Sequence, residues 1–203
     1  MIDASMPSSV GHALAGVAAA WTADLVPGNR AWRTAPATAS WFRRAGNGLT
    51  VACVLLAAAP DLDLLTHSHR RVTHSIGAVI VVAIVAALAA AMRRRPVLRI
   101  ALMCAGAYAT HLFLDWLAVD RQPPYGLQMF WPFSHAWLIS GWNVFRQTER
   151  YHLFSAATIW TNSLAVMQEI AILAPPVVAL WFIRVKALAR LAAEMSRGNH
   201  PAE

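Results

Sequence analysis

The run SIGAVIVVAIVAALAAAM, Ser75 to Met92, carries no charge and stops at Arg93-Arg94-Arg95-Pro96. A helix that crosses a bilayer needs about 20 predominantly apolar residues. The run therefore predicts a membrane helix, with the arginines and the proline marking its exit. Ile100 to Val119 is a second such stretch, apolar except for His111 and Asp115. Ser163 to Val185 is a third, interrupted by Glu169 and by Pro175-Pro176, which predict a kink. Two weaker stretches precede them. Val10 to Val26 is rich in Ala and Gly and carries His12 near its start; Leu49 to Ala59 stops at Pro60-Asp61-Leu62-Asp63. Small residues let helices pack closely in a bundle, so both count as spans. The expectation is an all-α, polytopic membrane protein of about five spans. It forms one helical domain over residues 1–203, with a short polar tail from about residue 192.

Composition agrees with this class. Of 203 residues, 58% are hydrophobic and 13% charged, about half the charged share of a soluble domain. The net charge of +7 comes from arginines that flank the spans, where they meet anionic lipid. Membrane lipids are therefore the expected partner and nucleic acid is not. Cys53 and Cys104 lie inside apolar runs without the paired spacing of a metal or redox motif. The N-terminus lacks the pattern of a removable signal peptide. No motif specifies an oligomeric state.

The arginines also predict orientation. If five spans alternate and the turn after Met92 is cytoplasmic, Lys and Arg divide 12 inside against 5 outside, the five being Arg70, Arg71, Arg121, Arg146 and Arg150. The N-terminus then lies outside and the C-terminus inside. This arrangement brings His12, Asp61, Asp63, His69, His74, His111, Asp115 and Glu169 to one depth near the extracytoplasmic face, although they belong to separate segments.

Ionisable residues within a membrane cost roughly 2.5–3.5 kcal/mol each on insertion scales and mark functional sites. His111 and Asp115, four apart on a helix, share one face. They can chelate a divalent ion together or simply staple two helices. Asp61 and Asp63 are expected on one side of a short extended segment. His69 and His74 are five apart and do not share a helical face. One is expected on the loop and the other in the first turn of the next helix, with Thr73 or Ser75 as N-cap. Carboxylates mixed with imidazoles suit zinc, manganese or iron rather than soft copper. The alternative is a solvated charged loop.

Gly11-His12, Pro60-Asp61-Leu62-Asp63, His69-Arg70-Arg71-Val72-Thr73-His74-Ser75, His111-Leu112-Phe113-Leu114-Asp115 and Trp131-Pro132-Phe133-Ser134 occur in that order. In this the chain resembles the YdjM and YbcI type of bacterial inner-membrane protein, described as membrane-bound, metal-dependent hydrolases. The resemblance covers roughly Val10 to Ser134. Arg71 stands where that family carries a small residue. The resemblance implies a hydrolase with one or two divalent ions, zinc or manganese foremost, held among His12, Asp61, Asp63, His69, His74, His111 and Asp115. Seven candidates exceed the three protein ligands of an open catalytic zinc site, so either two ions bind or some residues orient others. Asp61 or Asp63 is a bridging ligand or general base. Arg70 holds a substrate phosphate or anchors the loop at the headgroups. Glu169 is a further ligand or base, or pairs with an arginine. His67 can trade roles with His69, and His135 and His152 are interfacial.

Between Pro123 and Trp160, aromatic residues including Tyr125, Phe130, Trp131, Phe133, Trp137, Trp142 and Phe145 favour the headgroup layer, as a belt or as a lid over the site. The function expected is hydrolysis of a phosphoester of a lipid or lipid-linked compound. The rival is a metal transporter, sensor or scaffold without hydrolysis. The cytoplasmic halves of the spans lack ionisable residues, which disfavours transport.

Overall fold

The computed structural model describes residues 7–25, 45–66, 70–121, 123–149 and 152–198. Helix α1 is Ser9–Leu25, α2 is Gly48–Ala58 and continues as a 3-10 helix over Ala59–Thr66, α3 is Ile76–Met92, α4 is Val97–Leu117 and α5 is Ala156–Gly198. Among the described residues there is no strand, only two isolated bridges, Ala118 with Phe145 and Leu127 with Leu138.

Local chemistry sets the boundaries. Asn47 caps α2 by accepting from Leu49 N and Thr50 N, while Thr50 Oγ1 accepts from Asn47 N. Pro60 has no N–H to continue an α-helical ladder, and the chain tightens there into 3-10 geometry. Ser75 caps α3 by accepting from Ala78 N at 3.2 Å. Helix α5 runs 43 residues and includes Pro175 and Pro176.

Five helices form where five apolar stretches predicted them, but five spans do not follow. Among the described residues, Val97–Leu117 and Ala156–Ala187 are long and apolar enough to cross a membrane, and α3 is a shorter apolar helix. Helix α1 has 17 residues and α2 only 11; at 1.5 Å per residue α2 covers about 16 Å of a hydrocarbon core about 30 Å thick. Pro60 ends it too early, and Trp21, Thr22 and Asp24 dilute the apolar character at the end of α1.

Helices α1 and α4 are central. The first packs on α2, α4 and α5, the second on α1, α2 and α3. Gly16 permits the close approach of α1 to α2, since a Cβ there would fall 2.8 Å from Ala57 Cβ and 2.9 Å from Cys53 O. Ala20, Cys53, Met103 and Ala107 join the three helices in one cluster. The outer faces remain apolar, with Val81, Val85 and Leu88 of α3 and Met167, Val178 and Phe182 of α5 exposed. Apolar surface on this scale marks a contact with lipid or protein rather than water.

The segment after α4 folds back over one end of the bundle. Ser140 N, Val144 N and Ile76 N donate to Trp116 O, Leu117 O and Met129 O, and Gly77 N to Trp131 O. These bonds serve backbone groups that the end of α4 and the start of α3 leave without intrahelical partners. Tyr125, Phe130, Phe133 and Trp142 project outward from the segment.

Candidate metal centre

At the covered end, residues from four elements converge. His12 comes from the first turn of α1, Asp61 and Asp63 from the 3-10 helix, His74 from the turn before the Ser75 cap, and His111 and Asp115 from the last turns of α4. His12, His74 and His111 are fully buried, and Asp115 is 2% exposed.

Each histidine approach has a physical cause. His111 Nδ1 lies 2.8 Å from Ala57 O, the carbonyl end of α2. A carbonyl only accepts, so the ring proton sits on Nδ1 and the Nε2 lone pair points inward. His74 Nδ1 faces Asp63 Oδ2 at 3.2 Å and Thr73 Oγ1 at 3.0 Å. Thr73 Oγ1 in turn donates to Asp63 Oδ2. This leaves His74 Nε2 3.1 Å from His111 Nε2, two lone pairs face to face. Asp115 Oδ2 lies 3.1 Å from His111 Nε2 and 3.3 Å from His74 Nε2, and its Oδ1 is 3.3 Å from His12 Nε2. Asp61 Oδ1 is 3.7 Å from His111 Nε2 and 3.9 Å from His74 Nε2. The His12 and His111 rings stack at 3.7 Å.

His12 Nε2 and both Asp115 oxygens are buried without a hydrogen-bond partner, although they stand this close to one another. Donors about 2.0–2.2 Å from one ion lie roughly 3–3.5 Å apart, which matches the spacing around Asp115, with Asp61 a few tenths of an ångström farther out. Two overlapping groups, His12-His111-Asp115 and Asp61-His74-His111, can thus hold a metal ion.

The two loop carboxylates do not share a side as expected of an extended segment. In a 3-10 helix of three residues per turn, positions i and i+2 point about 120° apart. Asp61 consequently faces the Nε2 edge of His74 while Asp63 faces Nδ1. His74 likewise stands ahead of the helix cap rather than in the first turn.

Other residues singled out in the sequence lie elsewhere. Glu169, fully buried, accepts from Ser8 N at 2.7 Å, from Gly11 N at 3.1 Å and from Ser8 Oγ. It belongs to neither metal-holding group and caps the N-terminus of α1, where helix dipole and free N–H groups favour an anion. Gly11 makes room for it, since a Cβ there would sit 2.7 Å from Glu169 Oε2. Arg70 is buried with φ 69°. Its N donates to Asp63 Oδ2 at 3.3 Å, and its guanidinium pairs with Asp120 at 2.6 Å. His135 is exposed. His67, His69 and His200 lie outside the described residues.

Sequence inspection missed the supporting groups. Asp120 also accepts from Gly126 N at 2.6 Å, and Tyr108 Oη donates to Thr73 O at 2.7 Å. Thr73 belongs to the His69-to-Ser75 motif, where its position suggests only a helix cap, yet its hydroxyl bridges Asp63 and His74. Asp120 and Tyr108 carried no spacing signal, because their partners are distant in sequence.

Comparison with known proteins found no match among curated proteins or solved structures. The model of one family, the YdjM inner membrane protein family, matches residues 6–192. That range contains every member of the metal centre and nearly the whole chain, so the chain belongs to the YdjM inner membrane protein family.

Proposed function

We propose that this chain is a membrane-embedded, metal-dependent hydrolase acting on a phosphoester of a lipid or lipid-linked compound. The observation that carries the proposal is the convergence of three imidazole Nε2 atoms on Asp115, two of them also facing Asp61, with the Nδ1 atoms of His74 and His111 fixed by outer partners. His12, His74, His111, Asp115 and Asp61 would hold the ion, and the nitrogen and oxygen donor set suits zinc or manganese. A divalent ion bound there supplies Lewis-acid activation of water and of a phosphoryl oxygen.

The remaining residues have distinct tasks. Asp61, whose side chain is 12% exposed, forms the accessible edge of the cluster and is placed to take a proton from an incoming water. Asp63 and Thr73 orient His74, the outer-partner arrangement common at metal sites. Arg70 braces the loop through Asp120 and is not assigned to substrate phosphate. The exposed aromatic residues of the covering segment seat the centre at the headgroup layer.

Elemental analysis of detergent-purified protein beside His111→Ala and His74→Ala, followed by a phosphoester screen, tests the proposal. Bound metal and hydrolysis, both lost in the two variants, are the expected result. One observation favours a second role. Four of the five candidate ligands are buried from solvent, as in a closed structural site. Stoichiometric metal without turnover of any phosphoester would establish a scaffold or sensor instead. Absence of metal after loading with zinc and manganese would sink both.

A further inference from the structure

Beneath the metal centre an apolar groove of about 880 Å³ runs along the seam of α1 and α4. Its floor is the small-residue face of α1, with Ala15, Ala19 and Ala23, and α4 forms one wall from Leu98 to Leu114. That stretch of α4 is about 24 Å long at 1.5 Å per residue. Over this length the groove has room for an extended hydrocarbon chain. Gly106 keeps the channel open, since a Cβ there would meet no atom within 4 Å.

The two ends differ in chemistry. Near the metal centre the groove is closed by Ala15, Leu114 and Leu173, packed in one cluster with Leu117 and Phe145. At the opposite end Arg99 lines it, donating to Ala23 O at 2.6 Å. The turn into that end carries Arg93, Arg94 and Arg95, all exposed. An apolar channel with a cluster of cations at one mouth has the charge pattern of an anionic phospholipid, and basic pockets between membrane helices bind such headgroups.

We propose that this groove binds one acyl chain of an anionic phospholipid whose phosphate lies against Arg99 and the Arg93–Arg95 turn. The bound chain fills the lower seam of α1 and α4, the two helices that present His12 and Asp115. The site is distinct from the metal centre, because its arginines lie at the other end of α1 from His12.

Native mass spectrometry of the protein released from mild detergent, with dioleoyl phosphatidylglycerol and dioleoyl phosphatidylcholine as probes, tests the proposal. The wild type should retain one phosphatidylglycerol per chain, in preference to phosphatidylcholine by about tenfold. Gly106→Leu should lose at least about tenfold of that retention. Its melting temperature without lipid should stay at or above that of the wild type, because leucine is the better helix former. Arg99→Gln should retain lipid but lose the preference for the anionic headgroup. Equal retention of both lipids by the wild type would overturn the proposal, as would undiminished phosphatidylglycerol binding in Gly106→Leu. A dimer that disappears in Gly106→Leu would also overturn it, showing a second copy in the groove.

Discussion

At its N-terminus α1 is held by Glu169, an acid delivered from the middle of α5. At its C-terminus it is held by Arg99 on the carbonyl of Ala23 and by Arg184, 5.9 Å above the ring of Trp21. Both ends obey the helix dipole, anion at the start and cation at the finish. One turn into the helix, His12 and its neighbour Asp115 are equally buried but differently served. Glu169 meets three donors, whereas His12 Nε2 and the Asp115 oxygens sit at 3.1–3.3 Å from neighbouring site atoms without a hydrogen bond. Burial of a charge therefore does not by itself identify a ligand. Glu169 is buried and fully satisfied, and it is architecture. Asp115 is buried with its acceptors unused, and it is the candidate ligand.

The sharpest way to break this distinction is to delete Asp115. Asp115→Ala should abolish stoichiometric metal, at least about a hundredfold weaker by elemental analysis after dialysis, because the centre loses the carboxylate ligand on which the three histidine Nε2 atoms converge. Retained metal would reassign the centre. Glu169→Ala should instead cost about 3 kcal/mol of stability, since two backbone donors and a hydroxyl lose their acceptor. That effect should appear as a lower melting temperature in detergent, while metal affinity of the folded protein changes far less. Loss of metal without loss of stability would make Glu169 a ligand after all.

Asp63→Asn falls between ligand and architecture. Outer partners of metal-binding histidines are worth about 10–100-fold in affinity, and a decrease in that range by competition with a chelator is expected. The smallest effect belongs to the far end of α1. Arg184→Gln removes one cation over Trp21, worth about 0.5–2 kcal/mol, and should shift melting slightly with metal content unchanged.

Much of the bundle was legible because hydrophobic runs are local. The uncharged run ending at Arg93 and the apolar stretch around His111 and Asp115 reappear as α3 and α4. The number of spans was not legible, because apolar length does not reveal that Pro60 turns the end of α2 into a 3-10 helix. The metal centre was partly legible. The four-residue spacing of His111 and Asp115 dictates one helical face, and their partnership at 3.1 Å follows. The division of labour between Asp61 and Asp63 was hidden, since it depends on the screw of a 3-10 turn. The role of Glu169 was hidden as well, since its donors lie 158 and 161 residues away.

The sequence alone determined that the chain is helical and apolar, that its acids and imidazoles lie near the ends of its apolar runs, and that arginines mark the opposite ends. These are properties of composition and of periods of three to four residues, which each segment carries by itself. Only the tertiary structure decided which of those groups face one another, which carboxylate orients and which is left with unused oxygens, and where a groove remains between helices. Hydrogen bonds and packing between distant segments fix those outcomes, and their partners are chosen by the fold.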